Sequence, residues 1–276
     1  MNTGGPAAVG IERVAETAST NADLLAWARE APADIPLAPR ALVAERQTAG
    51  RGRLGRTWEA TPGASLTVSL AWPFAAGIDL SGLSLAVGVA LAEALDPRPG
   101  AALRIGLKWP NDLWLVGPAE PGRKCGGVLI ETVSRGPGRV AVIGIGINLL
   151  EQRVAAASSG VAWLAEIDPA SAASPEGLCE RLVAALAAAL HRFKRDGFAG
   201  FAGGFAGRDL LRGRAVRWAA GSGPGREGIA SGVSAGGELL LRTPSGIEPI
   251  GSGEVSVRLE PGPAAADPPP APSAPC

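Results

Sequence analysis

Tyrosine is absent from this 276-residue sequence, and histidine occurs once, at His191. Those shortages exclude phenolic acid–base chemistry and nearly exclude a His-based triad. Lys, Arg, Asp, Asn and backbone amides remain as groups able to act on a substrate. Cysteine is scarce too: Cys125, Cys179 and Cys276 are far apart and odd in number. They offer neither a disulfide framework nor zinc-ligand spacing, so no metal site is expected and a reducing cytoplasm fits. Net charge is missing, since 26 Lys+Arg balance 26 Asp+Glu. A dedicated nucleic-acid binder would carry an excess of positive charge, so basic chemistry here must be local. No apolar run reaches the ~20 residues of a bilayer span without a charge or a proline, so no membrane partner is expected. The opening stretch MNTGGPAAVGIERV lacks the basic-then-apolar order of a secretory signal.

What is present is a chain that is 46% hydrophobic and long enough for one full domain plus a smaller one. Residues 1–10 are small and polar, and residues 261–276 (PGPAAADPPPAPSAPC) are rich in proline and alanine; both read as disordered extensions. Between them, STNADLLAWAREA predicts a helix with Thr20 as its N-cap and Asp23 three residues on. ALVAERQ predicts a short strand. Ser65 to Trp72 alternates Leu66, Val68, Leu70 and Trp72 with small or polar residues, the pattern of a half-buried strand. LSGLSLAVGVALAEAL predicts a buried helix against a sheet. Strand-like runs follow in LRIGLKWP, DLWLV, CGGVLIETV and RVAVIGIGINLL, the last two apolar enough to be central. A helix over 175–195 carries Leu178, Leu182, Leu186, Leu190 and Phe193 on one stripe. GFAGFAGGFAG reads as a loose helical connector with Phe198, Phe201 and Phe205 inward. After Leu211, short strand runs broken by Gly, Ser and Pro predict a small all-β module.

Four stretches, and a fifth at the first helix, could carry chemistry. In AGRGRLGRTW, Gly50, Gly52 and Gly55 permit close approach or positive φ. Arg51, Arg53 and Arg56 supply planar forks for carboxylate or phosphate. A solvated turn or an RNA-binding RG segment is the alternative. In LKWPNDLWL, Lys108, Asn111 and Asp112 surround Pro110, which by itself also reads as a turn. In GRKCGGVLIE, Lys124 precedes Gly126 and Gly127; an exposed strand-edge charge is the plain alternative. In VIGIGINL, Gly144 and Gly146 imply close approach of a ligand or another backbone, and Asn148 closes the run. The triplet Ser19, Thr20 and Asn21 is a helix cap unless it does more.

In this order, STN, Q-x-x-GRGRxGR-x-W, KWPND, K-x-GG-x-L-x-E, GIGIN and a small β module, the series resembles the biotin protein ligase family over about Thr17 to Leu259. The resemblance implies an α+β fold, a mixed sheet flanked by helices of class II synthetase-like kind, with a small SH3-like β-barrel behind it. The expected domains are 11–210 for biotin and ATP and 211–260 for the barrel. It also implies biotin and ATP as substrates with Mg²⁺. Biotinyl-5′-AMP would form first, and the biotinyl group would then pass to a lysine of a biotin carboxyl carrier domain of acetyl-CoA carboxylase or a related carboxylase. Both steps build negative charge around a phosphate, so positioning and electrostatic stabilisation dominate.

Carried over residue by residue, the resemblance gives the biotin contacts to Ser19, Thr20, Asn21, Gln47, Gly50, Arg51, Arg53, Lys124, Gly126 and Gly127. Nucleotide contacts fall to Arg53, Arg56, Trp58, Lys108, Asn111, Asp112 and Asn148, with Trp58 walling the site. Lys124, Arg53 and Asp112 are the catalytic candidates, Asp112 as either base or metal and nucleotide ligand. Cys125 stands where an aliphatic neighbour of Lys124 is expected, and Thr67 where many relatives place an aromatic. Ser19 lies too near the start for the helix-turn-helix of regulatory members, so repressor activity is not expected. A homodimer through the edge of the main sheet is suggested by resemblance alone. The rivals are a lipoate or octanoate ligase or transferase of similar fold, and a nucleic-acid-binding regulator using the RG loop.

Overall fold

The computed structural model describes residues 9–32, 35–97, 103–117, 122–152, 160–220, 226–251 and 255–259. Its main sheet has seven strands: β1 (Gly10–Thr17), β2 (Arg40–Gln47), β3 (Ser65–Phe74), β4 (Ile105–Lys108), β5 (Asp112–Leu115), β6 (Arg123–Arg135) and β7 (Gly138–Asn148). They lie in the order β1-β2-β3-β7-β6-β5-β4. β1 and β2 are parallel and every other neighbouring pair is antiparallel, so the sheet is mixed. The helices are α1 (Thr20–Glu30), α2 (Leu83–Leu95), α3 (Pro169–Ala172), α4 (Pro175–Asp196) and α5 (Ala202–Ala206).

Strand alternation divides the sheet into two faces. Leu66, Val68, Leu70, Trp72 and Phe74 of β3 join Ile143, Ile145 and Ile147 of β7 in the large core beneath α2 and α4. On the other face Ala71, Val140 and Val142 pack under Leu24, Leu25 and Ala28 of α1. This corrects one expectation: β3 is not half-buried. Thr67 is 3% exposed and Ser69 is 0% exposed, because α1 covers the face they occupy. The polar alternation marks a second buried face, not solvent.

The start of α1 also differs from expectation. Ser19, in extended conformation, is the N-cap and accepts from Ala22 N. Thr20 is the first helical residue, which leaves its hydroxyl pointing sideways into the sheet, where Ser69 and Gln47 meet it. Strand β1 has no strand signal in its sequence. GIERVAET lacks a two-residue apolar period, since an edge strand exposes both sides, and its hydrogen bonds to β2 fix it instead.

The long helix α4 buries Leu178, Leu182, Leu186, Leu190 and Phe193 as the periodicity predicts. In the connector, a 3-10 turn and α5 bury Phe198, Phe201 and Phe205. Strands β8 (Ala215–Ala220), β9 (Arg226–Val233), β10 (Leu239–Thr243), β11 (Gly246–Ile250) and β12 (Val255–Leu259) then form a five-stranded antiparallel sheet in the order β11-β10-β9-β8-β12. Trp109 Nε1 donates to Gly237 O at 2.9 Å and ties this module to the β4–β5 turn. Residues 1–8 and 260–276, on which most of the predicted disorder falls, lie outside the described residues.

Candidate active site

The cleft sits on the α1 face of the sheet. The N-terminus of α1, the end of β2, the arginine loop and strands β3, β6 and β7 line it. Ser19, Thr20 and Asn21 are each buried, at 4%, 3% and 4% exposure, so the triplet is more than a solvent-exposed cap. Thr20 N donates to Gln47 Oε1 at 2.8 Å, joining α1 to β2. Asn21 Nδ2 donates to Glu131 Oε2 at 2.9 Å and to Leu129 O at 3.3 Å. Ser69 Oγ donates to Asn21 Oδ1 at 2.6 Å.

The two glycines of β7 are explained by those contacts. A Cβ on Gly144 would lie 2.4 Å from Asn21 Oδ1, and one on Gly146 would lie 2.3 Å from Trp58 Cε2. Two side chains, Asn21 and Trp58, approach the strand at these glycines, and both glycines also line the cleft. Trp58 Nε1 is buried without a hydrogen-bond partner. With the indole so placed, the open volume of the cleft is about 60 Å³. Small-molecule sites generally exceed about 300 Å³, so ligand entry requires this ring or its neighbours to move.

The arginine loop is closed by its own backbone. Trp58 N donates to Gly50 O at 2.9 Å and Gly52 N to Arg56 O at 2.7 Å. Of its glycines only Gly55 has positive φ, and Leu54 beside it is also left-handed at φ 58°. Gly50 is needed for a different reason: a Cβ there would fall 2.4 Å from Trp58 O. The arginines diverge. Arg51 pairs with Glu131 Oε2 at 3.0 Å. Arg53 donates to Asn111 Oδ1 at 3.3 Å, and burial lowers its pKa against the opposing pull of Asp112. Arg56 is exposed and does not line the cleft.

Opposite the arginines, Lys124 Nζ lies 2.6 Å from Asp112 Oδ1. The β5–β6 register places Asp112 against Gly127, over which the lysine ammonium lies: a Cβ there would touch Nζ at 3.4 Å. Gly126 is packed against the Gly146 carbonyl. Asn111 Nδ2 donates to Val128 O at 2.8 Å, which fixes the KWPND turn against β6. Lys108 is not brought to the cleft wall; its ammonium lies 4.6 Å from the centre of the Trp114 ring. Asn148, 5% exposed, accepts from Gln152 Nε2 at 3.1 Å and shares a strand face with Gly144 and Gly146. Gln152 Oε1 also accepts from Thr61 N, tying the end of β7 to the segment that follows the arginine loop.

Cys125 packs as the apolar residue expected there. It is 1% exposed, and burial pushes its thiol up to about 12. Among the described residues no group of three or more His, Cys, Asp or Glu side chains converges. No described helix is long and apolar enough to cross a membrane. Three site residues carry no role in the sequence reading: Ser69, Glu131 and Gln152. Glu131 closes the K-x-GG-x-L-x-E run, and Ser69 is a polar alternate of β3, so both have a signal. Gln152 has no pattern around it.

This combination of mixed sheet, buried polar floor and cationic rim is that of a ligase scaffold. A model of the biotin/lipoate A/B protein ligase family matches residues 17–148, and one of the biotin protein ligase C terminal domain matches residues 213–258. The biotin–[acetyl-CoA-carboxylase] ligase of Paracoccus denitrificans is 33% identical over 251 residues, 88% of this chain and 98% of that protein. The chain belongs to the biotin protein ligase family. The bifunctional ligase/repressor BirA of Salmonella typhimurium is 35% identical over 222 residues, 79% of this chain. The match spans 66% of that relative's length. Among solved structures, an Aquifex aeolicus biotin protein ligase in complex with biotin and ATP superposes with a TM-score of 0.71 at 28% identity, covering 91% of this chain and 99% of its own.

Proposed function

We propose that this protein activates biotin with ATP and transfers it to a lysine of a biotin carboxyl carrier domain. A carboxylate oxygen of biotin attacks the α-phosphorus of ATP; the P–O bond to the leaving pyrophosphate breaks, giving biotinyl-5′-AMP. The acceptor amine then attacks the acyl carbon, AMP leaves with its bonding electron pair, and the amine loses a proton. One observation carries this reading: a floor of uncharged polar groups, the buried Thr20, Asn21 and Ser69 with the half-buried Gln47, lines one cleft with Lys124 and Arg51, while Arg53 lines the adjoining cleft. The floor suits a polar, uncharged ring system. The cations suit a carboxylate joined to a phosphate.

Lys124 is the group for the acyl carbonyl and α-phosphate oxygens. Its pairing with Asp112 holds it extended across Gly127. Arg53, propped by Asn111, faces the same phosphate. Asn148 addresses the base. Mg²⁺ fits as an ion carried on the polyphosphate, with Asp112, beside Lys124, as the carboxylate that would face it, and it would neutralise phosphate charge. In this reading residues 11–210 are the catalytic domain, 211–260 the SH3-like module, and the enzyme works in the cytoplasm.

Biotin-dependent ATP–pyrophosphate exchange under Mg²⁺ tests the first step, and biotin transfer to a carrier domain tests the second. Exchange with biotin and none with lipoate or octanoate is expected. Folded protein that exchanges with neither, or with lipoate alone, would sink the proposal.

A further inference from the structure

The pocket floor contains a chain of hydrogen bonds whose direction is forced from one end. Glu131 Oε2 and the Leu129 carbonyl oxygen can only accept. Asn21 therefore turns Nδ2 to them, at 2.9 and 3.3 Å, and presents Oδ1 to Ser69. That oxygen has no proton to give, so Ser69 Oγ donates its single proton across 2.6 Å. Thr20 Oγ1 lies 2.7 Å from Ser69 Oγ. With the serine proton already committed, this bond runs from Thr20 to Ser69. Gln47 Oε1, which accepts the Thr20 backbone N–H at 2.8 Å, also lies within reach as a second acceptor for the threonine hydroxyl at 3.1 Å, so that proton is shared between Ser69 and Gln47. The threonine proton is thus directed into the floor. Only lone pairs of Thr20 Oγ1 face the pocket.

Gln47 is oriented by the same logic. The Thr20 N–H requires an oxygen, so Oε1 faces α1 and Nε2 is turned towards Gly50, at the mouth of the arginine loop. The pocket accordingly shows an acceptor on Thr20 next to a donor on Gln47. Gly144 makes the arrangement possible, since any Cβ there would strike Asn21 Oδ1. Arg51 holds the far end of the chain through the same Glu131 oxygen, at 3.0 Å.

We propose that Ser69 and Glu131 are positioning residues that set the hydrogen-bond polarity of this pocket, making Thr20 an obligatory acceptor and selecting a ligand ring that presents an N–H to it. The inference rests on the reading of this cleft as the biotin site and names what discriminates within it. A cyclic urea satisfies the pair, with N–H to Thr20 and an acceptor to Gln47. A ring oxygen in place of that N–H sets lone pair against lone pair in a buried site, which costs affinity on the order of tenfold or more. An acyl chain without polar atoms leaves both groups unpaired.

The test is binding, without ATP, of biotin and of the two cyclic carbamates in which oxygen replaces one or the other ureido N–H. Titration calorimetry is run on wild type, Ser69→Ala and Glu131→Gln. In wild type, one carbamate is expected to bind about tenfold or more weakly than biotin. In each variant the chain is broken or can reverse, Thr20 can turn its proton to the ligand, and the preference is expected to fall to about threefold or less. A merely structural role would weaken biotin and carbamate together and leave their ratio unmoved. A wild-type preference that persists in both variants, or a wild type that binds all three ligands alike, overturns the relay while the biotin reading stands. Wild type that binds none of them fails the biotin reading itself. Ser69→Cys, close in size but a weak donor, replaces Ser69→Ala if thermal unfolding shows that variant unfolded.

Discussion

Lys124 Nζ and Asp112 Oδ1 lie 2.6 Å apart, joining the K-x-GG and KWPND stretches into one charged pair across the β5–β6 ladder. The two residues come from consecutive strands that pair with each other. The pair means that the candidate catalytic cation is held before any phosphate arrives.

Replacing Lys124 with Met removes the positive charge that the proposed function assigns to the reacting carbonyl and phosphate, and keeps the stem. The expected loss is about 10²–10³-fold in kcat for ATP–pyrophosphate exchange, the range found when one transition-state donor is removed. Biotin binding should fall much less. A variant that exchanges at the wild-type rate would remove Lys124 from the chemistry.

Arg53→Ala should release the intermediate. The side chain is half-buried and donates to Asn111 Oδ1, and the proposed function gives it the adenylate phosphate. Loss of one charge-assisted contact predicts about a tenfold or greater rise in the rate of biotinyl-5′-AMP release, read by trapping free adenylate in a chase. Arg53→Lys keeps the charge but not the fork, so it should recover only part of the retention.

Trp58 lies against Gly146 with its N–H unpaired, in a cleft too small for a bicyclic ligand. Binding should move it. Tryptophan emission is expected to change on adding biotin and ATP, and that change should vanish in Trp58→Phe. An equal change in the variant would assign the signal to another of the seven tryptophans.

Gly144→Ala and Gly203→Ala form a matched pair. The first drives a methyl to 2.4 Å from Asn21 Oδ1 and should both destabilise the fold and weaken biotin binding by at least an order of magnitude. The second adds a methyl in α5 with nothing within 4 Å and should stabilise by about 0.5–1 kcal/mol. Thermal unfolding and biotin titration read both.

Cys125 should not react with thiol reagents at pH 8 in the native protein, since burial raises its pKa to about 12 from an ordinary 9.0. The sign for stability follows. Below pH 9 the thiol is neutral in both states, and above it the unfolded thiol ionises first. Native stability is therefore lost progressively between about pH 9 and 12. Mass spectrometry after alkylation, with and without denaturant, checks the first part; urea titrations in that window compared with Cys125→Ser check the second.

Much of the site is legible in the amino-acid sequence because its residues are clustered in short runs. The arginine loop, KWPND, K-x-GG and GIGIN each carry their chemistry within a few residues, and order alone resolves what each leaves open. Lys108 and Arg56 show the limit of that: they belong to the same runs, yet one faces Trp114 and the other solvent. A motif specifies which residues are near, and the backbone turn decides which way each points.

Apart from the edge strand β1, the sequence by itself determined the element types, the buried helices and the polar alternation of β3, since these depend on local period and apolar content. It could not say that α1 would cover that polar face, because burial on the second side depends on a helix more than 30 residues away along the chain. Only the tertiary structure turned Ser69 from a surface serine into a buried link and gave Glu131 both Asn21 and Arg51. It also showed that the glycines of β7 make room for side chains. Hydrogen-bond direction is the deciding reason: a donor or acceptor is assigned by its partner, and these partners meet only when the sheet and α1 close together.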